Sequence, residues 1–212
     1  MLFDLAKLST QNCYKLLSFT VVPRPIAWVV TERAGGRRNA APFSFFNIMA
    51  TEPPIIGIGI TARAPEGKDT PRWIEETGEF VVNLVPHALM DAMNVTGAEF
   101  DPSIDELAEA GLAVLPSAKV KPPRIAASPV ALECTLHQLI KLASGQRIVL
   151  GEVLAVHVDD AAVIDADKCY VDTAKLDIVG RLNNRYLRTG GGFDLPRVMA
   201  ADWLAGRRGG AK

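Results

Sequence analysis

Three segments of the chain carry residue types that could hold a ligand. The first is Pro23-Arg24-Pro25-Ile26-Ala27-Trp28-Val29-Val30-Thr31. Each proline fixes its own φ and biases the residue before it towards extended backbone, so Arg24 is held extended between them. A strand entrance with a solvated arginine is the plainer reading of the same residues. The second segment is Asn39-Ala40-Ala41-Pro42-Phe43-Ser44-Phe45-Phe46, in which amide, proline and hydroxyl residues interrupt aromatic ones. It reads either as an edge strand with a polar outer face or as a strand that turns polar groups towards a ligand. The third is Arg63-Ala64-Pro65-Glu66-Gly67-Lys68-Asp69-Thr70, directly before Pro71. Two cations and a hydroxyl at a helix start can cradle a phosphate, because the first N–H groups of a helix lack partners. A solvated surface loop is its alternative.

Taken together, the three suit one ligand. Arg24, Arg63, Lys68 and helix-start amides suit a phosphate, whereas Ser44, Thr31 and Asn39 offer neutral hydrogen bonds. Trp28, Phe45 and Phe46 offer flat apolar surface for a conjugated ring. A phosphorylated planar cofactor such as FMN would use all of these, and heme or a nucleotide would also fit.

No catalytic constellation accompanies them. The chain has no G-x-S-x-G elbow, no H-E-x-x-H, no Walker loop and no G-x-G-x-x-G. Gly57-Ile58-Gly59 lacks the third glycine and reads as a glycine-bearing strand. The histidines His87, His137 and His157 are far apart, with no i, i+4 pair, so the spacing assigns no metal ligands. The cysteines Cys13, Cys134 and Cys169 are odd in number and widely spaced, which suits a reducing cytoplasm better than a disulfide framework.

These segments must be positioned by strands. Pro25–Thr31 is apolar and β-branched, and Gly35-Gly36 in the following turn supplies the positive φ a hairpin needs. Asn39–Ile48 reads as the return strand, with Pro42 at an edge or bulge. Ile55–Thr61 and Glu79–Val85 are further strands, and Pro129–Lys141 with Arg147–Asp159 forms a long hairpin around Ser144-Gly145. Helices are expected at Asp4–Leu17, at Thr70–Thr77 with Thr70 as cap and Pro71 first, at His87–Ala98, and at Ser103–Ala110 with Ser103 as cap. Strands at this spacing, with helices inserted, suggest an antiparallel barrel.

Composition agrees with a packed globular protein: 212 residues, 49% hydrophobic and 22% charged. A net charge of −1 gives no basic field for nonspecific nucleic-acid binding. The longest apolar runs, Val21–Val30 and Pro53–Thr61, fall well short of the roughly 18 residues a membrane span needs. Met1–Thr10 carries Asp4 and Lys7 and does not read as a signal peptide. One domain is expected over residues 1–205, with residues 206–212, rich in glycine and charge, as a frayed tail.

In an ordered series of motifs the sequence also resembles the flavin reductase-like, FMN-binding split-barrel proteins, in the branch of flavoredoxin-like and DIM6/NTAB-type members. The matching runs are V-P-R-P-I-A-W-V-V-T (Val22–Thr31), N-A-A-P-F-S-F-F-N (Asn39–Asn47), E-P-P (Glu52–Pro54), K-D-T (Lys68–Thr70) and G-E-F-V-V-N (Gly78–Asn83). L-E-C (Leu132–Cys134) and G-E-V-L-A-V-H-V (Gly151–Val158) follow. The resemblance implies a mainly β fold, a six-stranded antiparallel Greek-key split barrel holding FMN without a covalent link. Carried over residue by residue, the flavin contacts fall on Trp28, Val30 and Thr31, on Asn39, Ala41, Ser44 and Phe45, and on Lys68, Asp69 and Thr70, with Arg24 and Arg63 less secure. Relatives read R-L-G-G-x-x-Y near the last barrel segment, whereas Arg181-Leu182-Asn183-Asn184-Arg185-Tyr186 here lacks both glycines. Asparagine is the next most tolerant residue of a left-handed turn.

What the resemblance implies for function is an NAD(P)H-dependent flavin reductase working as a homodimer. NADH or NADPH would be the donor, and a flavin or another acceptor would take the electrons onward, with a partner oxygenase or redox protein as recipient. A flavin does the hydride chemistry itself, so no side-chain acid or base is required. The alternative is an FMN-binding electron carrier reduced by a protein partner, and a third reading is a split barrel that holds another planar ligand such as heme.

Overall fold

In a computed structural model of the protein, the described residues are 1–61, 69–101, 103–190, 192–195, 197–200 and 203. The first helix is α1 (Thr10–Thr20), capped by the Ser9 hydroxyl, which accepts from the Asn12 N–H. The strands β1 (Arg24–Pro25), β2 (Ala27–Glu32), β3 (Arg38–Phe43), β4 (Phe45–Thr51) and β5 (Pro54–Ile60) follow, then helix α2 (Asp69–Thr77) and strand β6 (Glu79–Leu84). Helices α3 (Met90–Thr96) and α4 (Glu106–Glu109) precede the short strands β7 (Val114–Leu115) and β8 (Arg124–Ile125). The long hairpin is β9 (Val130–Lys141) with β10 (Arg147–Val158). The chain closes with β11 (Val163–Asp165), β12 (Tyr170–Val171), β13 (Val179–Arg181) and β14 (Tyr186–Arg188).

Seven strands form one antiparallel sheet in the order β3-β2-β6-β9-β10-β5-β4. Its two edges, β3 and β4, are consecutive in the chain and separated by Ser44 alone. A sheet whose opposite edges are joined by one residue must curl until those edges meet, so the fold is a partly closed barrel with its corner at Ser44. The same corner explains the strand count. The single return strand expected over Asn39–Ile48 is broken at Ser44 into β3 and β4, which gives seven strands where six were expected.

The barrel core is built by Ala27, Val29, Phe43, Ile56, Ile58, Phe80, Val82, Cys134 and Val149. A second layer outside the sheet packs Trp28, Val30, Ala40 and Val85 against Met93 and Leu107 of α3 and α4. β2 is therefore buried on both faces. Smaller sheets decorate the barrel: β1-β13-β14, β7-β8 and β11-β12.

Both expected hairpins are present. Gly35 (φ +86°) and Gly36 (φ +76°) close β2–β3, and Gly145 (φ +81°) closes β9–β10. The helix starts are corrected in detail. α2 begins at Asp69, so Thr70 lies inside it and its hydroxyl is engaged elsewhere. α4 is shorter than expected, with Asp105 as its cap accepting from Leu107 and Ala108 N–H. Expected tail residues 206–212 lie outside the described residues. No helix among the described residues is long and apolar enough to cross a membrane.

Candidate functional site

The β2–β3 register places Thr31 opposite Asn39 and Val29 opposite Ala41. Strand alternation then puts Thr31, Asn39 and Ala41 on the face that carries Val29 and Phe43. Thr31 and Asn39 are both buried, beside the start of α2. There the Asn39 Nδ2 group donates to Thr70 Oγ1 at 2.9 Å and lies 3.5 Å from Thr31 Oγ1. Thr70 itself is buried. Three neutral polar side chains thus converge beside the first backbone N–H groups of α2, which as helix-start donors lack intrahelical partners. Asp69, the first residue of α2, is paired with Arg72 one turn on.

Other contacts fix this corner. Arg33 and Arg37, in the β2–β3 turn, lie over the Trp73 ring at 5.4 and 6.0 Å, and Arg33 also pairs with Glu76 at 2.7 Å. The Trp73 Nε1 group is buried, with no hydrogen-bond partner among the described residues. On the outer edge of β3 the Ala40 N–H donates to the Glu106 carboxylate at 3.1 Å. Burial pushes the Glu106 carboxyl up, its backbone hydrogen bonds oppose this, and the nearby Asp105 and Asp69 add to the rise. Neither the Arg33–Trp73–Arg37 stack nor the Glu106 edge cap is legible in the sequence. The one available signal is a tryptophan on the inner face of an otherwise charged helix.

These motifs are the ones a family comparison can decide. Residues 19–173 match the model of the flavin reductase like domain. The chain belongs to the flavin reductase-like domain family. A protein from Deinococcus radiodurans is 43% identical over 208 residues, covering 95% of this chain and 91% of that one. Among solved structures, nitrilotriacetate monooxygenase component B from Bacillus cereus is similar at 30% identity and a TM-score of 0.86, over 92% of this chain and 98% of that one. The 2-nitrobenzoate 2-nitroreductase NbaA of Pseudomonas fluorescens is similar at 31% and a TM-score of 0.86, over 94% and 98%.

Within this flavin reductase-like chain the expected contact residues divide into groups. Thr31, Asn39 and Thr70 meet at the start of α2, whose first residue is Asp69; Ala41 lies two positions along β3 on the same face, against the barrel core; Arg63 and Lys68 lie outside the described residues. Trp28 and Val30 point the other way. The Trp28 indole is fully buried in the helical layer, where its Nε1 donates to Thr96 Oγ1 at 2.9 Å. This corrects the expectation of an open Trp28 face for a ring: β2 is buried on both sides, and alternation sends positions 28 and 30 to the helices.

Arg24 and Ser44 form a separate cluster at the barrel corner. Arg24 is 7% exposed, and its Nη1 reaches the carbonyls of Ser18 at 2.5 Å, Val21 at 2.9 Å and Leu182 at 2.9 Å. Its Nε faces Ser44 Oγ at 3.5 Å, and its guanidinium lies 5.8 Å from the Phe45 ring, which tilts against Tyr14. Arg24 therefore ties the end of α1, the corner and the turn after β13 into one unit, with its Nη1 group engaged by carbonyl oxygens. In that turn neither Asn183 nor Asn184 adopts a positive φ, and Asn183 Oδ1 accepts from the Arg185 N–H at 3.1 Å. Asn183 holds the turn by a side-chain bond, and neither asparagine takes the left-handed backbone expected of it.

The histidines of the long hairpin sit on strand faces as expected. His157 Nε2 lies 2.5 Å from Glu133 Oε1, and the fully buried Glu133 also accepts the N–H groups of Ala118 and Lys119.

Proposed function

We propose that the chain binds FMN non-covalently with its phosphate at the start of α2, and that it is an NAD(P)H-dependent flavin reductase. The observation that carries this is the convergence of Thr31, Asn39 and Thr70, which joins the N-x-A-P-x-S strand to the K-D-T segment. The donor set fits the group: hydroxyls and an amide suit a polyol chain, and helix-start N–H groups with Lys68 and Arg63 suit its phosphate. FMN, once bound, supplies the hydride chemistry. The protein's part is to bind, orient and shield. Thr31, Asn39 and Thr70 fix the polar arm, Ala41 leaves room beside it, and Ser44 and Phe45 border the corner. Trp28 and Val30 contribute backbone only.

NADH or NADPH is the proposed donor, and a flavin or a partner oxygenase the recipient. The similar component B protein is by name one part of a monooxygenase, which supports a role as the reducing component of a pair. Absorbance separates this from the electron-carrier reading. FMN-loaded protein bleached by NAD(P)H alone supports the reductase, and bleaching only with a reduced protein partner supports the carrier.

A homodimer belongs to the same reading. The edge strand β4 reads Phe-Phe-Asn-Ile-Met-Ala-Thr, uncharged, with Ile48 and Met49 exposed. An uncharged, apolar edge of this kind invites a partner.

A further inference from the structure

We infer that Arg24 and Arg181 form a subsite at the barrel corner for the diphosphate of a nicotinamide dinucleotide. The inference rests on the reductase reading above and names where its donor is held.

Arg24 and Arg181 stand directly opposite each other in the β1–β13 pairing. Cross-strand partners project from the same face with Cβ atoms about 5 Å apart, and like charges so placed repel. The pair is also withdrawn from water, since Arg24 is 7% exposed and Arg181 half-buried. Among the described residues neither guanidinium meets a carboxylate. Arg24 binds the carbonyls of Ser18, Val21 and Leu182 and faces Ser44 Oγ. Arg181 donates through Nε to the Asn183 carbonyl at 2.6 Å and through Nη1 to the Tyr186 hydroxyl at 2.5 Å. Burial lowers the Arg24 pKa, Tyr14 opposes this, and Arg181 lowers it further. Each arginine keeps its Nη2 group without an acceptor among the described residues. Two adjacent cations held by neutral groups alone are costly, and an anion that joins them offsets the cost.

Position and charge select the anion. The FMN phosphate is proposed beside Asn39, at the start of α2. β3 leads from Asn39 to Ser44, five positions on, which is about 17 Å at the rise of a strand. The arginine pair at Ser44 therefore stands at the opposite end of the proposed flavin site from its phosphate. What the reaction brings to the ring end of a flavin is its hydride donor, and NADH and NADPH both carry a diphosphate. Its two negative charges match the two arginines, and its oxygens suit guanidinium donors. A single carboxylate would leave one cation unmatched.

Calorimetry on the FMN-loaded full chain tests this with ADP-ribose, which has the diphosphate but no nicotinamide. Arg181→Gln should weaken ADP-ribose by about tenfold or more, and Arg181→Lys, which keeps the charge, should weaken it less. In anaerobic bleaching, the half-saturating NADH concentration of Arg181→Gln should rise by a similar factor. The rise should be far smaller for 1-benzyl-1,4-dihydronicotinamide, a donor without phosphates. Raising salt from about 0.1 to 1 M shortens the Debye length from about 10 to 3 Å, so ADP-ribose should also weaken on the parent, a test that needs no variant. Equal ADP-ribose affinity in parent and Arg181→Gln, or an affinity indifferent to salt, overturns the subsite. A folded Arg181→Gln that loses FMN itself assigns the pair to the flavin and also overturns it. A parent that binds no ADP-ribose while NADH bleaches its FMN overturns the subsite and leaves the reductase standing. A parent that binds ADP-ribose through Arg181 but is bleached by no donor supports the subsite and overturns the reductase.

Discussion

Asn39 donates its side-chain amide to the Thr70 hydroxyl across 2.9 Å, and this bond ties edge strand β3 to the start of α2. Both residues are buried, so neither loses its partner to water at no cost. A neutral hydrogen bond contributes about 1 kcal/mol, and a buried group left unpaired costs roughly 1–3 kcal/mol. Asn39→Ala should therefore lower Tm and also weaken FMN, since the same amide is proposed to face the ligand. In a double-mutant cycle with Thr70→Ala, the two changes should be non-additive in FMN affinity measured by fluorescence titration. Strict additivity would mean that the two motifs do not act together.

Lys68 precedes α2 and is proposed to meet the phosphate. A charge-assisted hydrogen bond is worth roughly 1.5–3 kcal/mol, so Lys68→Ala should weaken FMN by about 10- to 100-fold. Riboflavin, which lacks the phosphate, should bind the variant and the parent alike. Equal weakening of both ligands would remove Lys68 from the phosphate. Ser44→Ala, which loses one neutral bond, should have a smaller effect on FMN than Lys68→Ala.

Arg24 gives a contrasting expectation. Its guanidinium joins α1, Ser44 and the turn at Leu182, a spread of acceptors that the point charge of lysine does not reproduce. Arg24→Lys should lower Tm and raise amide exchange over α1 more than it changes flavin affinity. Unchanged stability with lost flavin would make Arg24 a ligand contact instead.

Glu133 sets a pH dependence of stability. Burial pushes its carboxyl up, but the Ala118 N–H, the His157 ring and the Lys119 N–H outweigh this and hold it below the ordinary value of 4.5. The folded state then binds fewer protons than the unfolded one between the lowered value and 4.5. The contribution is thus complete above 4.5 and is lost as pH falls through the folded value. Glu133→Gln should flatten the slope of stability against pH in that acid window, measured by urea denaturation. A slope equal to the parent's would assign the acid sensitivity to other carboxylates.

No cysteine is expected to take part in turnover. Burial, with the neighbouring Glu133 charge, pushes the Cys134 thiol up and keeps it protonated. Replacing Cys13, Cys134 and Cys169 together should leave flavin reduction intact in the folded, flavin-loaded protein. Loss of turnover in that state would point to thiol chemistry.

The sequence made the hairpins legible because their signals are local: Gly35-Gly36 and Gly145 must sit where positive φ is required. It also marked the polar residues around Thr31, Asn39 and Thr70. It did not reveal which way β2 faces. Period-two alternation assigns faces only when one of them is wet, and β2 is dry on both, so Trp28 looked available when it is core. The partners of Arg24 were hidden for another reason. They are backbone carbonyls, one of them at Leu182 far along the chain, and a carbonyl leaves no trace in residue identity. The short strands after Asp159 carry too few residues for any period to show.

The most direct measurement is an anaerobic titration of FMN-loaded protein with NADH and with NADPH, followed by absorbance. A non-covalent flavin reductase should take up FMN to give bands in the blue and near ultraviolet, and at least one nicotinamide donor should bleach the blue band without any other protein present. A chain that fails to take up FMN, or whose bound FMN stays yellow with both donors, would contradict it.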